Sequence, residues 1–330
     1  MNNSEREEES VANICPVCNG KKTKLLFESE DDRYGYPDAF CIYRCTECRH
    51  AFLDGDFTPD LLSELYTDYY PRANFDLDQF RKHREPNGWL SWFDGDRAHC
   101  YPWVANGSRV LDIGCGRCES LEYYQRHGCE AHGMETDRNA EKIAKHFGFN
   151  VKIGLFNPEC FEENYFDAVT LDMVIEHILN PHDILQGVRK ILKPGGKLIF
   201  NYPTEASLGR YFFGKRWLHW HTPYHVQFFS KQSVRRLAEK NGFEIVLNKS
   251  MTESHWLLLQ WVMLFVHGRR GMASPLWKTD GYFDASTAKR WDVRFYLLLK
   301  KLRPHAFLTR LADFLGVGDN RICILVKNDS

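Results

Sequence analysis

The chain has almost no net charge, no long apolar run and no internal repeat. Its 43 basic and 44 acidic residues leave a formal charge of −1 over 330 residues. Proteins that grip phosphate backbones carry a basic footprint, and its absence here disfavours nucleic acid as a partner. The longest apolar stretch, Trp256 to Val266, falls well short of the about 20 residues that cross a bilayer. Residues 1–10 are acidic and polar. They do not resemble a signal peptide and read as part of a loose tail, residues 1–12. These absences point to a cytoplasmic globular chain with room for one large or two smaller domains.

Cysteine is not scarce. There are eleven, and without an export signal they suit a reducing compartment, as metal ligands or structural thiols. Four form the knuckles Cys15-Pro-Val-Cys18 and Cys45-Thr-Glu-Cys48, separated by a β-like segment. Each pair can bind one face of a tetrahedral ion, so two pairs predict a closed, structural zinc site. The second knuckle runs into Arg49-His50-Ala51-Phe52, like the hairpin tail of a zinc ribbon, with Cys41 and His50 as spare ligands. Residues 13–58 are assigned to this ribbon, which either braces the main domain or binds a partner.

The run Arg109-Val-Leu-Asp-Ile-Gly-Cys-Gly116 reads as a short buried strand breaking into a glycine turn that opens a helix. Such a turn lets a ligand approach the backbone and presents free N–H groups. The dinucleotide fingerprint G-x-G-x-x-G would need a third glycine at Glu119, where a carboxylate opposes a pyrophosphate. Asp112 can instead meet a cationic amine, so an amino-acid-bearing nucleoside fits better. Residues 130–135 read as the next strand, ending on Glu135. An acid there either binds ribose hydroxyls or caps the following helix, with Asp137 as the second candidate. Cys115 lies inside the turn because a small side chain fits there; it is not a nucleophile.

Strand signals recur at Val110, Ala131, Val151, Ala168 and Lys197, alternating with helical segments in the pattern of a parallel sheet. Lys193-Pro-Gly-Gly196 is a turn before the fifth strand. A sixth strand begins at Phe243, and Arg321 to Lys327 reads as the seventh. Residues 59–104 form a helical linker or lid. Residues 254–318 are too long for a structureless loop and read as a helical insertion between strands, with residues 319–330 returning to the sheet. The insertion carries Trp256, Trp261, Trp277 and Trp291 among arginines and lysines. It is a lid packed on the sheet, a peripheral membrane-facing surface at the inner face of the membrane, or a dimer contact.

Taken together, VLDIGCG, GMETDRNA and FDAVTLDMVIEHILNPHDILQGVRKILKPGGKLIFNYP resemble a class I S-adenosylmethionine (SAM)-dependent methyltransferase. The resemblance covers about residues 105–247, and residues 105–253 are assigned to the SAM-binding domain. It implies a Rossmann-like α/β fold whose seven-stranded sheet has six parallel strands and an antiparallel seventh. It also implies that Asp112, Gly114 and Gly116 hold the methionine end of SAM, with Cys115 in the same turn. Glu135, with Thr136 beside it, would hold the ribose, and Leu155 and Phe156 would flank the adenine. Asp172 and Met173 would line the methyl-transfer side. The family usually has glycine where this chain has Cys118.

A ribbon before this fold resembles two groups: bacterial methyltransferases of sugar and glycan biosynthesis, and zinc-finger ribosomal RNA guanine methyltransferases. Leu61 to Tyr70 (LLSELYTDYY) is more similar to the first. A histidine base suits a hydroxyl or acidic-carbon acceptor near neutral pH. Two settings qualify: His177, in the family's common Glu-His pair, and His225, in the run WLHWHTPYHVQFF. Substrate candidates are His221, Tyr224, Tyr202 and Tyr70, with Tyr69 and Tyr70 as a lid over the cofactor. His219 and His221 form an alternative metal pair, or simply pack. The sequence thus supports methyl transfer to a small polar or carrier-linked acceptor, against RNA base methylation or a non-catalytic binding protein as rivals.

Overall fold

The computed structural model describes residues 13–70, 77, 80–266, 268, 270–277 and 290–328. The tail assigned to residues 1–12 lies outside the described residues, as do 71–76 of the linker and 278–289 of the insertion.

Three short strands open the chain: β1 (Thr23–Glu30), β2 (Ala39–Cys45) and β3 (Ala51–Asp54), each antiparallel to the next. Helix α1 (Pro59–Glu64) follows, with Thr58 at its N-cap and Pro59 where a missing N–H costs nothing. After α2 (Gly88–Asp94), the alternation read from the sequence appears as β4 (Arg109–Ile113), α3 (Glu119–Arg126), β5 (Glu130–Glu135), α4 (Asn139–Phe147), β6 (Asn150–Ile153) and β7 (Phe166–Leu171). It continues through α5 (Pro181–Ile191), β8 (Leu192–Pro203), α6 (Leu208–Phe213), the two-residue β9 (Gln227–Phe228), α7 (Lys231–Lys240) and β10 (Phe243–Ser250). The chain then forms α8 (His255–Met263), α9 (Trp291–Leu302) and α10 (Pro304–Phe314), and closes on β11 (Asn320–Lys327).

The large sheet has seven strands in the order β10-β11-β8-β7-β4-β5-β6. Its pairs are parallel except those of β11, which is antiparallel to both β8 and β10. Six strands therefore share one direction and the last opposes them, as the resemblance implied. Helices cover both faces, which is why Val110, Leu111, Val169 and Leu198 are fully buried in near-continuous apolar strands. Lys193–Gly196 loops out within β8: Leu192 pairs with Phe166, but the next matched pair is Lys197 with Ala168. Gly195, at φ +71°, permits that excursion.

The ribbon is stitched to this sheet. β9 adds to the edge of β3, with Ala51 opposite Phe228 and Phe52 opposite Gln227. Cys15, Val17, Cys48 and Phe52 share one apolar cluster with Phe200, Tyr202 and Phe229. Burying a phenylalanine such as Phe229 favours the fold by about 1.5–3 kcal/mol, so parting the two units would be costly. Helices α8 and α9 pack through Leu258, Val262, Val293 and Tyr296, a cluster that includes Leu218. Gln260 of α8 accepts a hydrogen bond from Leu218 N (2.6 Å) and donates to Arg216 O (2.8 Å), clamping the histidine-rich segment. Among the described residues no helix is long and apolar enough to cross a membrane.

Candidate active site

At the C-terminal end of β4 the chain turns through Gly114 (φ +76°) and Gly116 (φ +51°). A Cβ on Gly114 would stand 2.6 Å from Val174 Cγ2, so conformation and space both require glycine. Cys118 also adopts a left-handed backbone, φ +62°, at the start of α3. That explains why glycine is the ordinary choice there. The Cys118 thiol is fully buried, and Cys115 packs its Sγ beside Gly133 on β5.

Asp112 lies beneath this turn. It accepts hydrogen bonds from Ser120 Oγ and, at 2.6 Å, from Thr170 Oγ1. Burial pushes its carboxyl up to about 7 despite those two hydroxyls. A buried carboxylate without a cation is costly, and a cationic amine is the partner that would offset the burial. Across the turn, Glu135 Oε2 accepts from Gly116 N (2.8 Å), while Oε1 accepts from Thr136 N (2.7 Å) and Asp137 N (3.0 Å). One acid thus braces the glycine turn against the end of β5. Leu155 is 81% exposed, whereas the Phe156 ring packs against Gly187 of α5.

Beyond the end of β7, Asp172 is held by Cys100 N (2.9 Å), His99 Nδ1 (3.3 Å) and Asn201 Nδ2 (2.6 Å). Burial raises its pKa, but His99 and these hydrogen bonds outweigh burial and leave it below the ordinary value. His99 answers in kind: burial is outweighed by Asp172, and its pKa rises to about 9. Met173 follows at φ +53° with its N–H donated to Asn201 Oδ1. His99 and Asn201 carried no spacing signal in the sequence.

The second half of the site is a wall of imidazoles and phenols. Val226 N donates to Glu176 O at 2.9 Å, fastening the histidine segment to the short turn after β7. His177 Nδ1 meets Tyr224 O at 3.0 Å, and His225 Nδ1 meets His219 O at 2.9 Å. With each Nδ1–H donated to a carbonyl, Nε2 is the lone-pair nitrogen of both rings. The His177 and His225 rings lie 4.7 Å apart, as do those of His221 and His225. Burial lowers all three pKa values, that of His177 to about 4, so the imidazoles are neutral. Glu176 is fully buried, 4.0 Å from His225 Nε2, with its pKa pushed up to about 8 by burial. Tyr70 sits against Tyr224 (5.1 Å) and Tyr34 (5.0 Å), within the electrostatic reach of both Glu135 and Glu176.

Residues 94–248 match the family described as "Methyltransferase domain". The chain carries a SAM-dependent methyltransferase domain. The match spans the glycine turn, Asp172, the Glu176-His177 pair and the histidine segment together. Among curated proteins, the chain is 27% identical over 177 residues to a ubiquinone biosynthesis O-methyltransferase of Azoarcus sp., covering 49% of this chain and 73% of that protein. A protein of the same name from Xanthomonas oryzae is 30% identical over 102 residues, or 29% of this chain and 43% of its own length. The chain thus spans less than half of that relative. Solved structures of similar shape include a SAM-dependent methyltransferase from Archaeoglobus fulgidus (20% identity, TM-score 0.43, covering 69% of this chain and 90% of that one). Another is the Haemonchus contortus phosphoethanolamine N-methyltransferase 2 (20%, 0.49, 84% and 62%).

In this methyltransferase, the structure brings Asp112, Gly114, Gly116, Glu135 and Thr136 to one turn, and Tyr70, His177, His221, Tyr224 and His225 to one wall. It does not bring Tyr202 there. Strand alternation turns Asn201 toward Asp172, so Tyr202 faces the other way, with its hydroxyl on Asn248 Oδ1 (3.2 Å) and its ring near Phe229. The ribbon supplies residues that spacing did not reveal. Asp31 accepts from the N–H groups of Arg33, Tyr34 and Tyr36 and shapes the loop after β1. That loop lays Tyr34 against Tyr224 (5.2 Å) and His221 (5.6 Å), and buries Arg33 beneath Trp277. The Cys15, Cys18, Cys45 and Cys48 sulfurs lie within 4.8 Å of one another. Cys41 and His50 stand outside the group; His50 Nε2 bonds Gln227 Oε1 at 2.7 Å.

Proposed function

We propose that this methyltransferase acts on a small polar or carrier-linked acceptor whose reacting atom carries a proton, a hydroxyl foremost, with His225 or His177 as the base. One observation carries this: two neutral, lone-pair-bearing imidazoles lie beside a buried carboxyl just beyond the strand end that holds Asp172. A base contributes about 10²–10⁴-fold when the acceptor must lose a proton, and an amine with a free lone pair has no such need. Asp112, Gly114, Gly116 and Glu135 would hold SAM; their donors and the uncompensated Asp112 carboxyl fit its cationic amine and ribose. When bound, SAM supplies an electrophilic sulfonium methyl. The chain's own work is to orient the acceptor against the tyrosine wall, exclude water with the ribbon loop and take up one proton. Glu176, which burial keeps protonated near neutral pH, would line the pocket beside His225 as a neutral group.

The ribbon-plus-domain layout and the tyrosine-rich Leu61–Tyr70 segment favour a sugar or glycan precursor as the acceptor. A phenolic hydroxyl is the second reading, favoured by the relatives named for ubiquinone biosynthesis. Both acceptors present a ring-borne hydroxyl that aromatic side chains can flank. Structural zinc belongs to the same proposal. Sγ distances of 3.6 Å (Cys15 to Cys48) and 3.5 Å (Cys18 to Cys45) approach the roughly 3.8 Å edge of a tetrahedron with 2.3 Å Zn–S bonds.

Label transfer from methyl-radiolabelled SAM into a native extract tests the acceptor, with fractions of small polar molecules, lipids, RNA and protein. Asp112→Ala serves as the control. Label in the polar or lipid fraction supports the proposal, and label in RNA overturns it. No label above the control would favour a non-catalytic protein.

A further inference from the structure

Helix α10 carries an apolar outer face. Inward, Ala306 and Thr309 are buried; outward, Phe307, Leu308, Leu311, Phe314 and Leu315 form a stripe at helical spacing, with Phe314 86% exposed. Helix α9 repeats the pattern with Trp291, Phe295, Leu298 and Leu302, which is 66% exposed. Helix α2 adds Trp89 and Trp92, three residues apart and so on one face. The three helices are tied into one surface. Arg310 Nη1 donates to Trp92 O at 3.0 Å, Arg303 pairs with Asp94 at 3.0 Å, and α9 passes directly into α10 at Arg303. An apolar expanse of this kind marks a contact surface, not a solvated one.

Its charges say what covers it. Asp94, Asp292 and Asp313 are already engaged, with Arg303, Arg290 and Arg310 respectively. Arg294, Lys300 and Lys301 are exposed and have no acidic partner among the described residues. A two-fold contact with a second copy would set this face against itself and oppose cations to cations. An anionic lipid surface supplies the missing charge, accepts the leucine and phenylalanine stripes, and suits tryptophans whose rings are apolar with one polar edge. None of α2, α9 and α10 is long enough to span, so the contact lies flat.

We propose that the face formed by α2, α9 and α10 docks on an anionic membrane surface. The proposal concerns where the enzyme works and holds for either acceptor, although it suits a lipid carrier best.

Flotation of the full chain with phosphatidylcholine vesicles, with and without phosphatidylglycerol, tests it. Binding to the anionic vesicles at least about tenfold tighter than to the neutral ones, weakening with salt, supports it. The double variant Leu298→Glu/Phe314→Glu is expected to lose that binding while retaining SAM affinity by calorimetry, since both side chains are exposed. Lys300→Glu/Lys301→Glu is expected to remove the preference for anionic lipid. No vesicle binding by a monomeric wild-type chain overturns the proposal. So does a dimer in light scattering that the Leu298→Glu/Phe314→Glu variant splits. Loss of SAM binding with vesicle binding intact would count against the methyltransferase reading alone.

Discussion

His225 Nε2 stands 4.0 Å from Glu176 Oε1, and neither oxygen of that fully buried carboxyl has a hydrogen-bond partner among the described residues. Leaving a buried acid unpaired is costly, so the pair is a place where the fold gives up stability for chemistry. His225→Asn keeps the Nδ1-side contact to His219 O through its own Nδ2 but removes the base. Its kcat is expected to fall about 10²–10⁴-fold with SAM affinity unchanged by calorimetry. An equal loss of SAM affinity would move His225 from chemistry to cofactor binding.

Glu176 gives the fold a signed pH dependence. Burial raises its carboxyl from the ordinary 4.5 to about 8. The folded state holds that proton more tightly than the unfolded state. The stabilising contribution is therefore complete below about pH 4.5 and is lost as pH rises through about 8. Glu176→Gln cannot ionise, so its melting temperature relative to wild type is expected to climb between about pH 5 and pH 9. Thermal melts of the two proteins across that range provide the check. His177 works in the opposite sense: burial lowers it to about 4, so its contribution is lost as pH falls from 6.5 through about 4.

Gly114 is required twice over, by φ +76° and by Val174 Cγ2 at 2.6 Å from the position of a Cβ. Gly114→Ala is expected to weaken SAM binding by at least about tenfold, because the displaced turn carries the N–H groups of the site. Adding Val174→Ala removes the clash but not the backbone strain, so affinity should recover in part. Full recovery would mean that backbone conformation is irrelevant at this turn.

Cys118 is the counter-case. Its φ of +62° is open to glycine at no steric cost and is poorly open to a β-branched residue. Cys118→Gly is expected to bind SAM as the wild type does, whereas Cys118→Val should lose about 2 kcal/mol of stability or more, read by denaturant melts.

On the proposal that the cysteine tetrad holds zinc, metal and chemistry would be coupled through the loop after β1. One zinc per chain is expected by elemental analysis, and removal by a chelator should loosen the loop that carries Arg33 and Tyr34. Activity would then fall before the large sheet melts. Cys45→Ser/Cys48→Ser is expected to reproduce that effect, and unchanged activity in a zinc-free, folded protein would confine the ribbon to a bracing role.

The sheet and its cofactor turn were legible in the chain because their signals are local. An apolar strand running into Gly114 and Gly116, an acid at Glu135, and the strand-helix rhythm each depend on residues close in sequence. The cysteine knuckles belong to the same class, since C-x2-C spacing alone brings two thiolates to one ion. The wall opposite was legible only in part: Tyr70, His177, His221, Tyr224 and His225 were candidates from the sequence, but their meeting with Arg33 and Tyr34 was not, because the members of the wall come from four distant segments. Arg33 and Tyr34 arrive from the ribbon, Tyr70 from the linker, Glu176 from the turn after β7, and His225 from the segment beyond β8. Tyr202 was a substrate candidate from the sequence, but strand alternation turns Asn201 to the site instead. His99 became significant only when Asp172 was found within 3.3 Å of it. By itself, then, the sequence determined the fold class, the glycine turn and the thiol knuckles, since short-range periodicity and backbone conformation are written residue by residue. Tertiary structure alone decided which histidine lies against a buried acid and which helix faces stay bare, because both follow from burial, and burial is a property of the packed chain.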